Sequence, residues 1–272
     1  MKSFKDKVAV VTGAGSGIGQ ALALQLASEG AQLAISDINE ANVADTARQC
    51  AALGAKVQHY KLDVGSRDAI YAHAAEVVQA FGSVNLVINN AGVAVNASVR
   101  ETSEKDFEWL MNINFWGVIH GTRAFLPHVT GSGDGHIVNI SSIFGMIAVP
   151  KQSAYNAAKF AVRGFTESLR QEMDLEGSAV GISCVHPGGV RTNIAKAARK
   201  GASDANTDLG AIFDKLARTT PDKAAEIILR GVKRNEARIF VGADAKAFDW
   251  MQRILGSGYQ KVIGPGFKKA SR

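Results

Sequence analysis

Short β-branched segments alternate with longer amphipathic segments along the whole of this chain. Residues 8–11 are Val-Ala-Val-Val, and residues 17–28 repeat apolar side chains at spacings of three and four, as a helix packed on one face does. Strands that alternate with helices in this way form βαβ units around a parallel sheet. The alternation therefore predicts an α/β fold, a doubly wound parallel sheet of about seven strands with helices on both faces.

The same pattern predicts where each element lies. Strands are predicted at residues 8–11, 33–37, 56–64, 84–89, 136–140, 180–185 and 238–241. Helices are predicted at residues 17–28, 42–53, 68–81, 103–126 and 153–175, followed by one that Thr220 and Pro221 open and a last one at about 243–256. Ser103 is expected to cap the fourth helix and Pro127 to break it.

No Pro-rich or Ser-rich linker interrupts this alternation, so residues 1–272 are expected to form a single domain. A chain of 272 residues, 46% of them hydrophobic, has room for a sizeable core. The pattern weakens after Pro187, and residues of about 188–215 are interpreted as a mobile substrate loop beside the site. The apolar side chains of the last predicted helix are expected to pack on the domain or on a partner subunit, in preference to a membrane surface.

Charge and cysteine content argue against several classes of function. The net charge is +6, but the basic residues are mostly scattered, so no nucleic-acid binding is expected. Cys50 and Cys184 stand alone and the histidines form no His-Glu-x-x-His motif, so no metal site is expected. The charged N-terminus leaves no room for a cleavable signal and no run of about 18 apolar residues occurs, which predicts a cytoplasmic protein without a transmembrane segment.

A glycine-rich turn at residues 12–19 joins the first predicted strand to the first predicted helix. Its sequence is Thr-Gly-Ala-Gly-Ser-Gly-Ile-Gly, with a Gly-x-x-x-Gly-x-Gly spacing. Glycines let the backbone approach a pyrophosphate at a helix N-terminus, where unpaired N–H groups favour negative charge. Asp37 ends the second predicted strand and can accept hydrogen bonds from ribose hydroxyls while repelling a 2′-phosphate. The pattern therefore predicts a dinucleotide site that prefers NAD to NADP.

Three further segments carry a family resemblance. They are Asn-Asn-Ala-Gly at residues 89–92, Ser142 after the fifth strand, and Tyr-Asn-Ala-Ala-Lys at residues 155–159. Together with the glycine turn, they resemble the single-domain branch of the short-chain dehydrogenase/reductase family over roughly residues 5–192. The resemblance implies a Rossmann-like NAD(P)-binding domain, an oxidoreductase that acts on CH–OH groups as an alcohol dehydrogenase does, and a homodimer or homotetramer.

The resemblance also assigns roles to individual residues. It implies catalytic roles for Asn114, Ser142, Tyr155 and Lys159. Together with the glycine turn it predicts cofactor contacts from Gly13, Ser16, Gly17, Ile18, Gly19, Asp37, Asp63, Val64, Asn90, Ala91, Gly92, Tyr155, Lys159, Pro187, Gly188, Val190 and Thr192.

The spacing of Tyr155 and Lys159 is consistent with these roles. Residues four apart lie on one helix face, about 6 Å apart along the axis. At an effective dielectric near 20, a cation at roughly that distance favours the tyrosinate by about 3 kcal/mol, on the order of two pKa units. We therefore predict that Lys159 lowers the pKa of Tyr155 towards the range of a general base. Ser142 is expected to donate to the reacting oxygen, and Asn114 to tether a water or the lysine in a proton path.

The loops after strands four, five and six are expected to form the substrate pocket, because ligands of such sheets lie beyond the carboxyl ends of the strands. Their apolar residues are Val93, Val95, Phe144, Met146, Ile147, Val149 and Ile194. Few polar groups accompany them, which predicts an apolar secondary alcohol or its ketone, of steroid, retinoid or medium-chain type, rather than a sugar. Two alternatives stay open: an NADP-dependent carbonyl reductase, and a catalytically silent protein that binds a dinucleotide as a sensor.

Overall fold

A parallel sheet forms the centre of the computed structural model, which describes residues 1–270 apart from the side chains of residues 212, 215, 216 and 265–270. In chain order the strands are β1 (Val8–Thr12), β2 (Gln32–Asp37), β3 (Val57–Lys61), β4 (Leu86–Asn89), β5 (Val95–Asn96), β6 (His136–Ile140), β7 (Gly181–Pro187), β8 (Arg199–Lys200) and β9 (Arg238–Val241). The seven-stranded sheet has the order β3-β2-β1-β4-β6-β7-β9, and β5 pairs with β8 separately.

Helices follow most of these strands. They are α1 (Gly17–Ser28), α2 (Glu40–Ala52), α3 (Arg67–Phe81), α4 (Glu104–Met111), α5 (Gly117–Gly131), α6 (Ser153–Leu175), α7 (Leu209–Leu216), α8 (Pro221–Lys233), α9 (Ala243–Leu255) and α10 (Tyr259–Ala270). Side chains of Asn39, Ser66, Ser103 and Thr220 accept hydrogen bonds from the first turns of α2, α3, α4 and α8. These caps satisfy backbone N–H groups that have no partner within the helix.

Alternate residues of the strands belong to two separate cores. Val11 of β1 shares a core cluster with Leu22 of α1 and Ile228 of α8. Its neighbour Val10 belongs to another cluster, which includes Phe125 of α5. A sheet covered on both faces requires strands that are apolar at successive positions, as β1 is. The prediction of a doubly wound parallel sheet with helices on both faces is confirmed.

The order of the strands opens a crevice between β1 and β4. Both strands are parallel neighbours in the sheet, with Val11 opposite Ile88. The helix that follows β1 packs on one face, whereas α5, which follows β4, packs on the other. Connections that leave in opposite directions create the crevice in which ligands of such sheets bind.

The long helix predicted at residues 103–126 is divided and runs further than expected. It consists of α4, a π-helical segment at Asn112–Trp116, and α5, which contains Pro127 and ends at Gly131. The prediction that Pro127 breaks the helix was wrong. A proline removes one backbone donor, but Phe125 and Val129 on either side of it are buried. Burying such side chains stabilises by about 1.5–3 kcal/mol each, which outweighs one lost hydrogen bond.

Two further differences lie towards the C-terminus. The last predicted helix corresponds to α9, but α10 follows it after a turn at Gly256–Gly258. The loop predicted at about residues 188–215 contains β8, a 3₁₀ turn at Ala202–Asp204 and most of α7. A two-residue strand is too short to produce a periodic pattern, so its pairing with β5 could be found only in three dimensions.

Candidate active site

A cavity of about 1710 Å³ lies at the carboxyl ends of the parallel strands. Residues that follow β1, β2, β3, β4, β6 and β7 all border it. Typical small-molecule pockets have volumes of about 300–1,000 Å³. This cavity is large enough for a dinucleotide and a second, smaller molecule beside it.

The glycine turn after β1 forms one wall of the cavity, with Gly13, Ser16, Gly17 and Ile18 lining it. Gly13 and Gly17 have positive φ angles of 66° and 57°, which side chains with a Cβ rarely adopt. Gly19 packs against the turn, where a Cβ would collide with the carbonyl oxygen of Gly13. The glycines therefore serve two purposes: some expose the backbone to the cavity, and Gly19 allows α1 to approach the strand end.

Asp37, at the end of β2, holds the same turn in place. Its Oδ2 accepts a hydrogen bond from the N–H of Gly15 at 2.9 Å, and its Oδ1 accepts one from Asn39 at 2.9 Å. Each carboxylate oxygen keeps a further lone pair, and Asp37 lines the cavity. The neighbouring Ser36 is fully buried, also lines the cavity, and its Oγ has no hydrogen-bond partner among the described residues.

The turn after β4 is locked to the end of β1. Thr12 Oγ1 accepts hydrogen bonds from the N–H groups of Asn90 at 3.0 Å and Ala91 at 3.1 Å. Asn90 Nδ2 in turn donates to the carbonyl oxygens of Thr12 at 2.9 Å and Gly13 at 3.2 Å. This lock joins the two strands at the crevice. Asn90, Ala91 and Gly92 line the cavity there.

The remaining predicted cofactor contacts come from β3 and β7. Asp63 Oδ1 accepts a hydrogen bond from the N–H of Gly65 at 2.8 Å, which shapes the turn after β3. After β7, the N–H of Gly189 donates to Asp244 Oδ2 at 2.7 Å. Residues on both turns line the cavity, namely Asp63, Val64, Pro187, Gly188, Val190 and Thr192.

Ser142, Tyr155 and Lys159 meet where β6 ends and α6 begins, and all three line the cavity. Lys159 is buried, its Nζ donates to the carbonyl oxygen of Ile140 at 2.9 Å, and it lies 5.6 Å from the centroid of the Tyr155 ring. Ser142 Oγ accepts a hydrogen bond from the N–H of Phe144 at 3.1 Å. Because a hydroxyl oxygen accepts and donates at once, the Ser142 proton stays available to another group.

Burial controls the protonation of this group. Burial raises the pKa of Tyr155 to about 12, and a hydrogen bond with Ser142 opposes this rise. Burial lowers the pKa of Lys159 to about 8, with a smaller opposing effect from the Cys184 thiol. The predicted lowering of the tyrosine pKa is therefore not found, because the spacing of Tyr155 and Lys159 does not include the cost of removing a phenolate from water.

Asn114 lies in the π-helical segment between α4 and α5. The N–H of Gly117 donates to the carbonyl of Asn112, five residues back rather than four. The Asn114 side chain makes two hydrogen bonds with the backbone of Val93, one to its N–H and one to its carbonyl, each 2.8 Å long. It therefore holds the turn after β4, and its role in a proton path stays a prediction.

The predicted substrate residues divide into two groups. Val93, Phe144, Ile147, Val149 and Ile194 line the cavity. Val95 and Met146 are instead buried in small clusters behind the wall, Val95 with Leu110 and Met146 with Tyr259. Four apolar side chains outside the predicted set also line the cavity, namely Trp109, Phe213, Phe248 and Ile263.

A polar network on the cavity wall was also missed. Lys151 Nζ lies 2.8 and 2.9 Å from the two carboxylate oxygens of Asp204, and Asn96 Nδ2 donates to Asp204 at 3.0 Å. Gln152 Nε2 donates to Asn96 Oδ1 at 3.2 Å. Lys151 has a positive φ of 63°, unusual for a residue with a side chain. The network joins the start of α6 to the substrate loop, and no short motif marks residues so far apart in the chain.

Two features are absent from the described part of the chain, namely a membrane-spanning helix and a cluster of metal ligands. In residues 1–270, no helix has the length and apolar character that a bilayer-spanning helix needs. Among the side chains that the structure describes, no group of three or more His, Cys, Asp or Glu is arranged to hold a metal ion.

Known proteins resemble this chain over nearly its whole length. The chain is 53% identical over 270 residues to the putative oxidoreductase SadH of Mycobacterium tuberculosis, covering 99% of this chain and 98% of that protein. It is 30% identical over 263 residues to human estradiol 17-beta-dehydrogenase 11, covering 96% of this chain and 83% of that protein.

Solved structures show the same relationship. A short-chain dehydrogenase/reductase from Burkholderia phymatum in complex with NAD matches with a TM-score of 0.86 and 32% identity, over 94% of this chain and 95% of that chain. Among similar solved structures, some hold NAD and others NADP. The family model described as short chain dehydrogenase matches residues 7–203. These matches, and the geometry of the cavity, show that the chain belongs to the short-chain dehydrogenase/reductase family of oxidoreductases.

Proposed function

We propose that the protein is an NAD-dependent dehydrogenase/reductase that transfers a hydride between NAD and the CH–OH group of an apolar secondary alcohol or its ketone. One observation carries this proposal. Ser142, Tyr155 and Lys159 border the same cavity as the glycine turn and Asp37. A proton-transfer group therefore lies in one continuous space with a wall suited to a dinucleotide.

The cavity fits a nicotinamide dinucleotide. The glycine turn exposes backbone at the N-terminus of α1, which favours a pyrophosphate. The Asp37 carboxylate and the unpartnered Ser36 Oγ offer hydrogen bonds to ribose hydroxyls. A 2′-phosphate beside Asp37 would be repelled by its negative charge, which supports NAD over NADP.

The protein residues handle the proton. When bound, the nicotinamide group supplies hydride exchange with the carbinol carbon. Tyr155 takes the hydroxyl proton of an alcohol or gives a proton to a ketone oxygen, and Ser142 donates a hydrogen bond to the same oxygen. Lys159 keeps a buried positive charge beside the tyrosine, which favours the phenolate during the transfer.

The walls support an apolar substrate. The aliphatic and aromatic side chains around Tyr155 offer few hydrogen-bonding groups, apart from the Lys151–Asp204 network, whose members are already paired with one another. The name of the human relative, an estradiol 17-beta-dehydrogenase, agrees with a substrate of steroid size. We therefore propose steroid-like, retinoid-like or medium-chain secondary alcohols as substrates.

The experiment measures NAD-dependent turnover over hydroxysteroids, retinol, aliphatic secondary alcohols and polyols. Tyr155→Phe should keep NADH binding while losing turnover by about 10²–10⁴-fold, the usual contribution of a proton-transfer group. Tyr71→Phe is the matched control, because Tyr71 is an exposed tyrosine of α3. Unchanged turnover in Tyr155→Phe would refute the assigned role, and turnover of polyols alone would refute the apolar substrate.

Two further results would decide between this function and its alternatives. NADPH raising the thermal unfolding temperature more than NADH at equal concentration would favour a NADP-dependent carbonyl reductase. NADH binding without turnover of any panel member would favour a catalytically silent sensor.

We also propose that residues 1–272 form one domain of a cytoplasmic homodimer or homotetramer. Trp116, beside α5, and Phe160 of α6 are both exposed in the single chain. Exposed apolar side chains of this kind are expected where two subunits make contact. Light scattering coupled to size exclusion tests the assembly, and a monomeric mass would contradict it.

A further inference from the structure

The two C-terminal helices form a cap over the cavity, defined here as residues 243–263, and its inner side is tied to the active site. Phe248 and Ile263 line the cavity. Tyr259 is buried, and its hydroxyl oxygen accepts a hydrogen bond from the N–H of Ala148 at 2.9 Å, next to the cavity wall at Ile147. The cap is thus a wall of the proposed substrate site.

The outer side of the cap is apolar and exposed. Trp250 is 65% exposed and Ile254, one helical turn later on the same face of α9, is 73% exposed. Leu255 and Val262 are also exposed, at 45% and 59%. In the described chain these four side chains stay about half exposed or more, whereas Met251, between Trp250 and Ile254, packs inward.

Basic side chains share the two helices with this apolar face. Lys246, Arg253 and Lys261 are exposed on α9 and α10. Of the two carboxylates in the segment, Asp244 accepts the Gly189 N–H, and Asp249 is buried and paired with Arg253 at 2.8 Å, so Lys246 and Lys261 carry the unpaired positive charge among the described residues of the cap. From residue 243 to the end, the sequence has six Lys and Arg against these two Asp.

We propose that the outer face of the cap binds the surface of an anionic lipid bilayer. An apolar face with tryptophan and a cationic fringe is the pattern of helices that lie in the bilayer interface. A second copy of the chain is a poorer partner, because a two-fold contact would bring two positive fringes together. The inference rests on the proposed apolar substrate: the same cap would face lipid outside and the substrate inside, so an alcohol dissolved in the bilayer would reach Tyr155 beneath it.

Vesicle co-sedimentation tests the proposal. The full-length protein is mixed with vesicles of phosphatidylcholine alone or with about 25% phosphatidylglycerol. We expect binding to the anionic vesicles, and at least about a tenfold lower partition coefficient for Trp250→Gln/Ile254→Gln, since two apolar contacts are lost. Lys246→Gln/Lys261→Gln should weaken binding to the anionic vesicles by about fivefold for each charge and so reduce the preference for anionic lipid. Leu175→Gln, at an exposed leucine of α6, is the control and should bind as the natural protein does.

Several results would overturn the proposal. These are no sedimentation with either vesicle, equal binding to both, or binding unaffected by Trp250→Gln/Ile254→Gln. If that variant instead shifts an oligomer to a smaller mass in light scattering and no vesicle binding occurs, the face contacts a second copy. None of the substituted residues lines the cavity, so turnover of a water-soluble secondary alcohol should stay unchanged and report a correct fold.

A turnover comparison tests delivery of the substrate. With a long-chain secondary alcohol held in anionic vesicles, Trp250→Gln/Ile254→Gln should be slower than the natural protein by about the loss in partition coefficient. Sedimentation requires no turnover, so the binding result can still be interpreted if the dehydrogenase assay shows no activity. If the natural protein sediments with vesicles but the variant turns over the vesicle-held alcohol equally fast, the outer face only attaches the protein to the bilayer, and delivery of the substrate through the cap is refuted.

Discussion

Lys159→Met is expected to change how stability depends on pH. The Lys159 ammonium is buried against the Ile140 carbonyl, and burial lowers its pKa from 10.5 to about 8. Between these two values the folded protein binds fewer protons than the unfolded chain. The natural protein therefore gains stability as pH rises from about 8 to 10.5, and a variant without the ammonium lacks this gain.

The pKa values set the expected size of the effect. At pH 7 the shift disfavours the folded natural protein by about 3 kcal/mol, and at pH 9.5 by about 1.4 kcal/mol. The stability of Lys159→Met relative to the natural protein should therefore fall by about 2 kcal/mol between pH 7 and pH 9.5. The variant also leaves the Ile140 carbonyl without its donor, at a cost of about 1–3 kcal/mol, but this cost is the same at both pH values and cancels.

Urea unfolding at pH 7 and pH 9.5 measures the difference. Lys105→Met is the matched control, because Lys105 is exposed on α4, and its effect should change by less than about 0.5 kcal/mol between the two pH values. If the stability difference between Lys159→Met and the natural protein changes as little with pH as that of Lys105→Met, the reasoning is refuted, because the ammonium would then keep its hydration in the folded protein. Turnover of Lys159→Met should be strongly reduced at both pH values, since the variant loses the charge beside Tyr155.

Three other substitutions test separate parts of the site. Gly19→Ala should destabilise the fold by about 1–3 kcal/mol in thermal or urea unfolding, because the added Cβ collides with a backbone carbonyl. Gly164→Ala is the control: it has open space within α6 and should be neutral or stabilising by up to about 1 kcal/mol. Asp37→Ser should raise the ratio of kcat/KM for NADP to that for NAD by at least about tenfold, because a like-charge repulsion is removed; an unchanged ratio would show that Asp37 does not face the 2′ position. Asp204→Asn weakens the pair with Lys151, so trypsin should cut the substrate loop at Arg199 and Lys200 faster and KM for an apolar alcohol should rise more than kcat falls. Cleavage at the natural rate would mean that this pair does not hold the loop.

Local pattern predicted most of the regular elements. Helices α1 and α6 and strands β6 and β9 begin and end where the periodicity places them. Such segments pack against the sheet along their whole length, so the spacing of apolar residues records their bounds. Pro127 is an exception, because its local helix-breaking effect was outweighed by side chains buried on both sides of it.

The candidate site was predictable in composition but not in energetics. The glycine turn, Asp37, Tyr155 and Lys159 could be selected because each belongs to a short motif with a fixed spacing. The Lys151–Asp204 pair could not, because its members are 53 residues apart and meet only when the substrate loop folds against α6. The direction of the Tyr155 pKa shift was also missed, because burial depends on what surrounds the tyrosine and not on its distance from a lysine along one helix.

The sequence alone determined the layered α/β architecture, the family and the residues at the crevice, since these follow from periodicity and from motifs whose members lie within a few residues of one another. The tertiary structure alone decided which residues became cavity wall and which became core, how strongly the Tyr155–Lys159 pair is desolvated, and which face of α9 stayed uncovered. These properties depend on the packing of segments far apart in the chain, and burial, which controls the free energy of charges and apolar surfaces alike, exists only after that packing has occurred.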